Sequence, residues 1–439
     1  GLDNFRNGIY FDYDLQYQTS PGSVPAIYSN RNIGLFLQDT WYVTPNLTLT
    51  MGVRADKPST SPQPQFNAVF AGPQTTDPAT GRWTGGFGLD NSNTFNGNFI
   101  VQPRFGFNYT FDAERQTQLR GGVGLFQGDS PQVWVGNAYQ STGLNFIAYS
   151  NYRDCLYNGP VEPSRNATCL NTRFNPDGLN PTVPPAASAN RNVNVIAEDF
   201  ELPSVWKANL AFDRELPWHG IIASAEVLLT DVKNGLFYKT LNVGPGFIGP
   251  DGRVLYFNPA SGRPFGNTTA GTGLLAPNGA RFNNNTFFGD VLLLENTNKG
   301  KSQQLTFMLE KPWSRDSDWS WNIGYTYTNA TEVGALTSST AGSGYGSQYG
   351  FNVNEEVSGT ARYEIKDRIA GSVNWQRAFF GDYQTKVGLF YEGRSGRPYS
   401  YIFAGDANGD NRTFNDLFYV PAGPGDVLFG SLAANGAFT

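Results

Sequence analysis

Four oxygen-bearing side chains near the C-terminal end of the sequence have the spacing of ligands to a hard cation. Asp406, Asn408 and Asp410 occupy alternate positions of a short polar stretch, and Asp416 follows six residues later. Carboxylate and amide oxygens at positions one, three and five of a tight loop can converge on calcium, and a later carboxylate can close the shell. The sequence therefore predicts calcium as a cofactor held by Asp406, Asn408, Asp410 and Asp416.

The match to a calcium loop is incomplete. A loop of the EF-hand kind has glycine at its sixth position and an acid at its twelfth, whereas this sequence has Asn411 at the sixth and Asp416 at the eleventh. The alternative is a surface turn rich in Asp and Asn, whose side chains bond their own backbone. Both interpretations stay open at the level of sequence.

The single histidine and the two cysteines offer less chemistry. His219 lies in a short Trp-His-Gly stretch between two predicted strands, and nothing in that turn supplies the nucleophile and orienting partner that a hydrolase needs. We expect His219 to be a solvated turn residue and the protein not to be an enzyme. Cys155 and Cys169 lie in one polar stretch, which predicts a loop-closing disulfide in an oxidising compartment; two free thiols are the alternative.

The elements that must position these residues are β-strands. Between Pro45 and Asp56 apolar residues alternate strictly with polar residues or glycine, which is the period of a strand. Similar segments recur without a helical segment between them, so the predicted fold is all-β and forms one domain over residues 1–439. Thirteen strands are predicted, near residues 5–17, 32–43, 46–56, 100–111, 117–127, 202–215, 220–241, 291–311, 318–329, 351–363, 368–377, 383–392 and 398–404.

Short and long connections alternate between the predicted strands. The short ones begin near residues 43, 112, 216, 312, 364 and 393, and the long ones span residues 57–99, 128–201, 242–290 and 330–350. This asymmetry is typical of a transmembrane antiparallel β-barrel in an outer membrane, which has short periplasmic turns and long extracellular loops.

The pattern within single strands indicates which solvent each face meets. One face of the strand near 318–329 carries Trp319, Trp321, Ile323, Tyr325 and Tyr327, with aromatic residues at both ends, as in the girdles of a lipid-facing strand. The apolar face of the Pro45–Asp56 strand is predicted to meet lipid in the same way. The ionisable residues fall on the opposite, lumenal faces: Arg54, Arg120, Glu226, Glu310, Arg362 and Glu364.

The composition excludes several classes of protein. The chain has a net charge of −6 and a pI near 5.0, so it lacks the basic stripe that neutralises nucleic-acid phosphates, and we expect no nucleic-acid partner. No apolar run approaches the roughly 20 residues of a transmembrane helix. The location predicted from the strands is therefore a bacterial outer membrane, with lipid or lipopolysaccharide around the apolar face.

Three segments resemble TonB-dependent outer-membrane receptors. The first is "LFLQDTWYVTPNLTLTMGVRAD" at residues 35–56, and the second is the pair "QPRFGFNYTF" and "TQLRGGVGLF" at residues 102–111 and 117–126. The third, Gly388–Pro421, is similar to a late-barrel segment of the Oar-like branch of that family, whose members often carry a carboxypeptidase-regulatory-like domain.

The resemblance implies a barrel of about 22 strands filled by a plug domain. We expect this chain to be the central portion of such a barrel, with the plug and the closing strands outside it. The implied function is to bind an unidentified ligand at the extracellular loops and to import it with energy from the TonB complex, which acts through the plug. The alternatives are a passive porin-like channel and a structural or adhesive surface protein.

The long predicted loops are rich in aromatic residues. These residues predict either a ligand platform at the barrel mouth or packing of the loops on one another. The sequence does not single out an individual ligand-binding residue. The aromatic residues in question are Trp83, Phe87, Trp134, Tyr139, Phe146, Phe247, Tyr256 and Phe257.

Overall fold

The structure is a computed structural model of the chain. It describes all residues except 1, 19–25, 80, 145, 158, 160–167, 171–172, 176, 178–179, 183–190, 245, 249–250, 257–283, 315, 411 and 424–439. The helices are short: α1 (Leu2–Arg6), α2 (Ala68–Ala71), α3 (Gln132–Gln140) and α4 (Ala341–Tyr345). None of the described helices has the length and apolar character needed to cross a membrane.

Strands make up the rest of the regular structure. In chain order they are β1 (Tyr13–Gln18), β2 (Ser29–Thr44), β3 (Leu47–Ser61), β4 (Gln74–Thr76), β5 (Trp83–Gly85), β6 (Ile100–Thr110), β7 (Thr117–Gln127), β8 (Phe146–Asp154), β9 (Thr168–Leu170), β10 (Val193–Ile196), β11 (Ser204–Glu215), β12 (Ile222–Thr240), β13 (Phe247–Ile248), β14 (Val254–Leu255), β15 (Val291–Thr297), β16 (Gly300–Lys311), β17 (Trp319–Glu332), β18 (Gly359–Thr360), β19 (Asp367–Phe380) and β20 (Tyr383–Arg394).

Ten long strands form one antiparallel sheet across the described part of the chain. Their order is β2-β3-β6-β7-β11-β12-β16-β17-β19-β20, so each strand pairs with the neighbour that the alternating connections bring to it. The connections between them are alternately short, as at residues 45–46 and 216–221, and long, as at residues 62–99 and 128–203. The predicted all-β, antiparallel architecture is therefore confirmed.

One face of this sheet is apolar and exposed from strand to strand. Phe212, Ala225, Phe307, Tyr325 and Ile369 stand opposite one another in a single row across five strands. Phe212 is 38% exposed, Phe307 49%, Tyr325 39% and Ile369 38%. Apolar side chains of a soluble sandwich would be enclosed by a second sheet, whereas these are open.

Apolar side chains are also exposed on β3, the strand with the clearest period of two residues. Met51 and Val53 of β3 are each 42% exposed. The alternate residues Arg54 and Asp56 lie on the other face, where they contact one another. The strand therefore has the predicted arrangement, with its apolar side chains uncovered and its charges turned away from them.

Two sequence predictions about the strands are wrong, one in the first segment of the chain and one in its middle. Residues 5–17 do not form a long strand, because α1 ends at Arg6, Gly8 follows it in a left-handed conformation (φ 67°), and β1 begins only at Tyr13. β1 pairs with β8 in a separate small sheet. The predicted single strand 291–311 is interrupted after Thr297, and Gly300, at φ 138°, begins β16.

The predicted strands 351–363 and 398–404 are also wrong. Only Gly359–Thr360 pairs in the first segment, and Ile402 makes an isolated bridge to Leu417 in the second. The side chain of Asn354, at φ 61°, bonds both the amide and the carbonyl of Thr240 and so fixes a loop conformation. The predicted short turn near residue 364 is not a hairpin turn, since residues 333–366 form one long connection. The predicted turn near residue 393 lies at the end of β20, and no further strand follows it among the described residues.

We predict that an arginine is costly on one face of β11 and tolerated on the other. Leu210→Arg, on the exposed apolar face, should lower the free energy of unfolding in lipid vesicles by about 2–4 kcal/mol if that face meets lipid. Asn209→Arg is the matched control, because Asn209 faces Glu226 on the polar face. Equilibrium unfolding in urea measures both. Equal losses for the two variants would contradict the lipid-facing assignment.

Candidate functional site

The polar face of the sheet carries a hydrogen-bonded network near the long-connection end of β3. Arg54 donates to both oxygens of Asp56, at 2.6 and 2.7 Å. Gln102 on β6 donates to Asp56 at 2.6 Å, and Asn32 on β2 donates at 3.2 Å. Asp56 is only 2% exposed, so its charge is offset by partners from three strands rather than by water.

Further along the sheet the polar face alternates in charge. Arg120 on β7 pairs with Asp213 on β11 at 3.1 Å, and Asn209 donates to Glu226 on β12 at 3.2 Å. The predicted lumenal positions of Arg54, Arg120 and Glu226 thus lie on one face. Arg362 and Glu364, which were expected on the same face, lie instead in the connection before β19.

The long connections pack into a layer with its own hydrophobic core. Its larger cluster includes Val135 and Tyr139 from α3, Phe200, Leu294 from β15 and Tyr345 from α4, each at most 8% exposed. A second cluster is built around Phe70 and Phe288. Loops separated by hundreds of residues in sequence are therefore held against one another at one end of the sheet.

The aromatic residues of these loops mainly pack within this layer. Phe87 lies 5.3 Å from Phe70 and 5.6 Å from Phe288 between ring centroids. Tyr139 stacks on Tyr28 at 4.4 Å, and the Trp134 indole donates to the carbonyl of Ser338. Of the other aromatic residues predicted in the loops, Trp83 contacts Phe87 edge to face. The backbone amide of Tyr256 donates to the carbonyl of Asn408 in the acidic loop. Phe257 and the side chains of Phe146 and Phe247 lie outside the described residues.

The acidic loop at residues 406–416 is folded by its own side chains. Asp406 Oδ1 accepts hydrogen bonds from the amides of Gly409 (2.6 Å) and Asp410 (3.2 Å), and Asn408 Oδ1 accepts from the Asp410 amide at 2.9 Å. Asp416 Oδ2 accepts from the amide of Ala407 at 2.8 Å, which ties the end of the loop to its start. These are the bonds of an Asx-rich turn.

The acidic loop is buried among residues from two other connections. The hydroxyl of Tyr345 on α4 donates to Asp410 Oδ2 at 2.8 Å. Arg253, whose side chain is 2% exposed, lies 3.6 Å from Asp416 Oδ1 and donates to the carbonyl of Leu417 at 2.6 Å. The Arg253 guanidinium also stands over the rings of Phe351 and Phe403, at 4.7 and 5.1 Å. This packing joins three parts of the loop layer.

Burial, and next to it the proximity of several carboxylates, changes the pKa values of the groups in and around the acidic loop. The pKa of Asp416 is raised to about 7, chiefly by burial and further by the charges of Asp410 and Asp406, against the lowering effects of the hydrogen bond from the Ala407 amide and of Arg253. Burial also raises the pKa of Asp410. Burial, together with the Asp410 carboxylate, raises the pKa of the Tyr345 hydroxyl well above its ordinary range. Desolvation therefore outweighs the nearby cations here.

The described residues bring Asp406, Asn408, Asp410 and Asp416 into one loop, but not into a formed cation shell. No group of three or more His, Cys, Asp and Glu side chains in the described ranges is arranged to hold a metal ion. Two buried oxygens of the loop, Asn415 Oδ1 and Asp416 Oδ1, have no hydrogen-bond partner among the described atoms. Calcium binding at the loop stays a prediction.

The other residues singled out by the sequence lie apart from this loop. His219 is exposed in the turn between β11 and β12, at φ 58°. Cys155 forms a disulfide in the structure. The side chain of its predicted partner Cys169 lies outside the described residues, although the backbones of β8 and β9 pair in parallel beside it. The Cys155–Cys169 pairing stays a prediction.

A cavity of about 390 Å³ opens beside the acidic loop. Its walls include Glu332, Tyr349, Arg362, Tyr399 and Leu417. The Arg362 guanidinium lies 5.8 Å from the centre of the Tyr349 ring. A cavity of this size with both aromatic and charged walls suits a small polar ligand. Arg253, Tyr345 and this cavity were missed at the sequence level because each is assembled from segments far apart in the chain.

Comparison with known proteins gives one family. The model of the outer membrane beta barrel domain family matches residues 5–417. No curated protein matches the sequence.

Three solved structures show a loose similarity in three dimensions. They are the siderophore receptor PirA from Pseudomonas aeruginosa (12% identity, TM-score 0.36, 83% of this chain and 40% of that one), the FrpB iron transporter from Neisseria meningitidis (8%, 0.37, 83% and 32%) and the outer membrane transporter YddB from Escherichia coli (12%, 0.39, 83% and 38%). This chain thus spans less than half the length of each.

We predict that the acidic loop loses stability as the pH rises from about 4 to about 7. The Asp416 carboxyl has an ordinary pKa of 3.8 and a folded pKa of about 7, so in this interval the folded loop binds more protons than the open one. Its stability is highest below this interval, falls through it, and is constant above it. Hydrogen-exchange protection of residues 402–417, corrected for the intrinsic rate, measures the change.

Asp416→Asn tests the assignment, because an amide does not ionise. The variant should flatten most of the pH dependence and leave a smaller slope from Asp410. A slope equal to that of the unchanged protein would show that Asp416 is not the responsible group. Repeating the measurement at pH 8 with millimolar calcium tests the cation prediction: calcium should restore protection in the unchanged protein and not in Asp410→Asn.

Proposed function

This chain belongs to the outer membrane beta barrel domain family, and from that premise we propose that it forms part of a TonB-dependent receptor in a bacterial outer membrane. In this proposal the long connections bind a ligand outside the cell. A plug domain outside this chain then moves under the action of the TonB complex, and the ligand passes inward. The protein acts in transport rather than in catalysis.

The observation that carries the proposal is the contrast between the two ends and the two faces of the sheet. The outer face is apolar, and the inner face carries ion pairs such as Arg120–Asp213 and Arg54–Asp56. The long connections fold into a layer with a buried core instead of extending freely. A hydrated interior below a layer of folded extracellular loops suits a receptor that binds a ligand outside the cell and passes it inward.

We also propose that the sheet closes into a barrel with further strands. β2 and β20 are the edge strands of the ten-stranded sheet within the described residues. Leu35, Phe36 and Leu37 of β2 are each more than 70% exposed, although they point alternately to the two faces. Unpaired strand edges are not stable inside a lipid bilayer. Additional strands, in a barrel of about 22, would cover both edges.

We propose that the receptor belongs to the Oar-like branch of TonB-dependent receptors, because residues 388–421 resemble that branch. The acidic loop at residues 406–416 lies in that segment. The cavity beside the loop, with Tyr349, Arg362 and Tyr399 in its walls, is the part of the described layer best suited to a small polar ligand. We propose that this cavity is the place at which the extracellular ligand first binds.

We predict that the full-length protein is closed in the absence of TonB. Recording from planar bilayers in potassium chloride should give no steady conductance, because a plug fills the lumen. Binding of the purified periplasmic domain of TonB, measured by calorimetry, should be detectable with the same sample. Steady conductance without TonB binding would identify a passive porin. A closed protein that does not bind TonB would identify a structural or adhesive surface protein.

A further inference from the structure

A groove runs along β12 on the apolar face of the sheet. Phe212, Ala225 and Phe307 stand opposite one another on β11, β12 and β16, and the next row toward the short turn is Arg214, Ala223 and Leu309. Small residues on β12 thus lie between large residues on both neighbouring strands. We call this feature the β12 groove: Ala223 and Ala225 are its floor, Phe212 and Arg214 one wall, and Phe307 and Leu309 the other.

The β12 groove has the size and chemistry of a site for a hydrocarbon chain. Its volume is about 430 Å³, and Ile323, Tyr325 and Ile369 extend its far wall. Alternate strands are roughly 10 Å apart, so two alanines between two rows of large side chains leave a channel about one hydrocarbon chain wide. Farther along β12, Val227 and Leu229 replace the alanines and are 39% and 44% exposed, which ends the floor.

The cation Arg214 lies at the other end of the β12 groove. Arg214 is exposed, and within the described part of the chain no carboxylate pairs with it. The preceding residue, Asp213, points to the opposite face and pairs with Arg120. Arg214 lies two residues before Leu216, where the short turn to β12 begins, and Trp218 in that turn is 54% exposed. Tryptophan is typical of the boundary between lipid and water.

We propose that the β12 groove binds one acyl chain of a phospholipid of the periplasmic leaflet, with the lipid phosphate at Arg214. Short turns of outer-membrane barrels lie on the periplasmic side, which places Arg214 at the level of the headgroups there. A guanidinium can hold two phosphate oxygens at once, while the alanine floor receives the chain below. The proposal rests on the outer-membrane location of the family and is independent of transport.

Native mass spectrometry of the protein in mild detergent tests the site with two probes, phosphatidylglycerol and diacylglycerol. Arg214→Gln should lower the bound fraction of phosphatidylglycerol by roughly fivefold and leave that of diacylglycerol unchanged, because only the phosphate contact is lost. Ala225→Phe should lower both, because the ring fills the groove. Ala223→Leu is a second filling variant, and the heat-modifiable migration of each variant in gels verifies folding.

Arg377→Gln is the matched control. Arg377 also lies near a short turn, but it pairs with Asp318 at 3.8 Å and is not part of the β12 groove. This variant should leave the binding of both probes unchanged. The proposal is wrong if Arg214→Gln binds phosphatidylglycerol as the unchanged protein does, if Arg377→Gln loses as much, or if neither filling variant affects diacylglycerol.

Discussion

The structure depends on the pairing of backbone amides and carbonyls between antiparallel neighbours. In a bilayer no water can satisfy these groups, so a strand can cross only when both of its edges are paired. The register that satisfies the backbone also fixes the side chains, since successive residues point to opposite faces. It places Leu210 on the apolar face and Asn209 on the polar face of β11. A slip of one residue would bring charges such as Asp213 onto the apolar face, so the residue pattern and the register enforce one another.

The layer formed by the long connections at one end of the sheet follows from the same antiparallel strand pairing. Because the strands are antiparallel and joined by alternately short and long segments, the long segments all emerge at one end. There they bury enough apolar surface to form clusters of their own. The acidic loop shows the result: its shape is set by local Asx turns, but its burial, and therefore the raised pKa of Asp416, depends on Arg253 and Tyr345 from other connections.

The sequence could predict what depends on local periodicity. The predicted strand 117–127 has the observed bounds, and the bounds of β6, β11 and β12 agree within two residues, because apolar and polar residues alternate along each; β3 continues to Ser61, past its predicted end at Asp56. It could not predict that 351–363 forms a loop, since that depends on the Asn354 side chain bonding the backbone of Thr240. The partners of the acidic loop were missed for the same reason: Arg253 lies 163 residues from Asp416, and no local pattern joins them.

The central claim is that the two faces of one sheet meet different solvents, and electron paramagnetic resonance tests it most directly. Single nitroxide labels at positions 207 to 212 of β11, in the protein reconstituted in lipid vesicles, report collisions with oxygen, which dissolves in lipid, and with a water-soluble nickel chelate. We expect a period of two residues, with oxygen access greatest at 208, 210 and 212 and nickel access greatest at 207, 209 and 211. Maxima at the same positions for both reagents, or the lack of any period, would contradict the assignment of the two faces to different solvents.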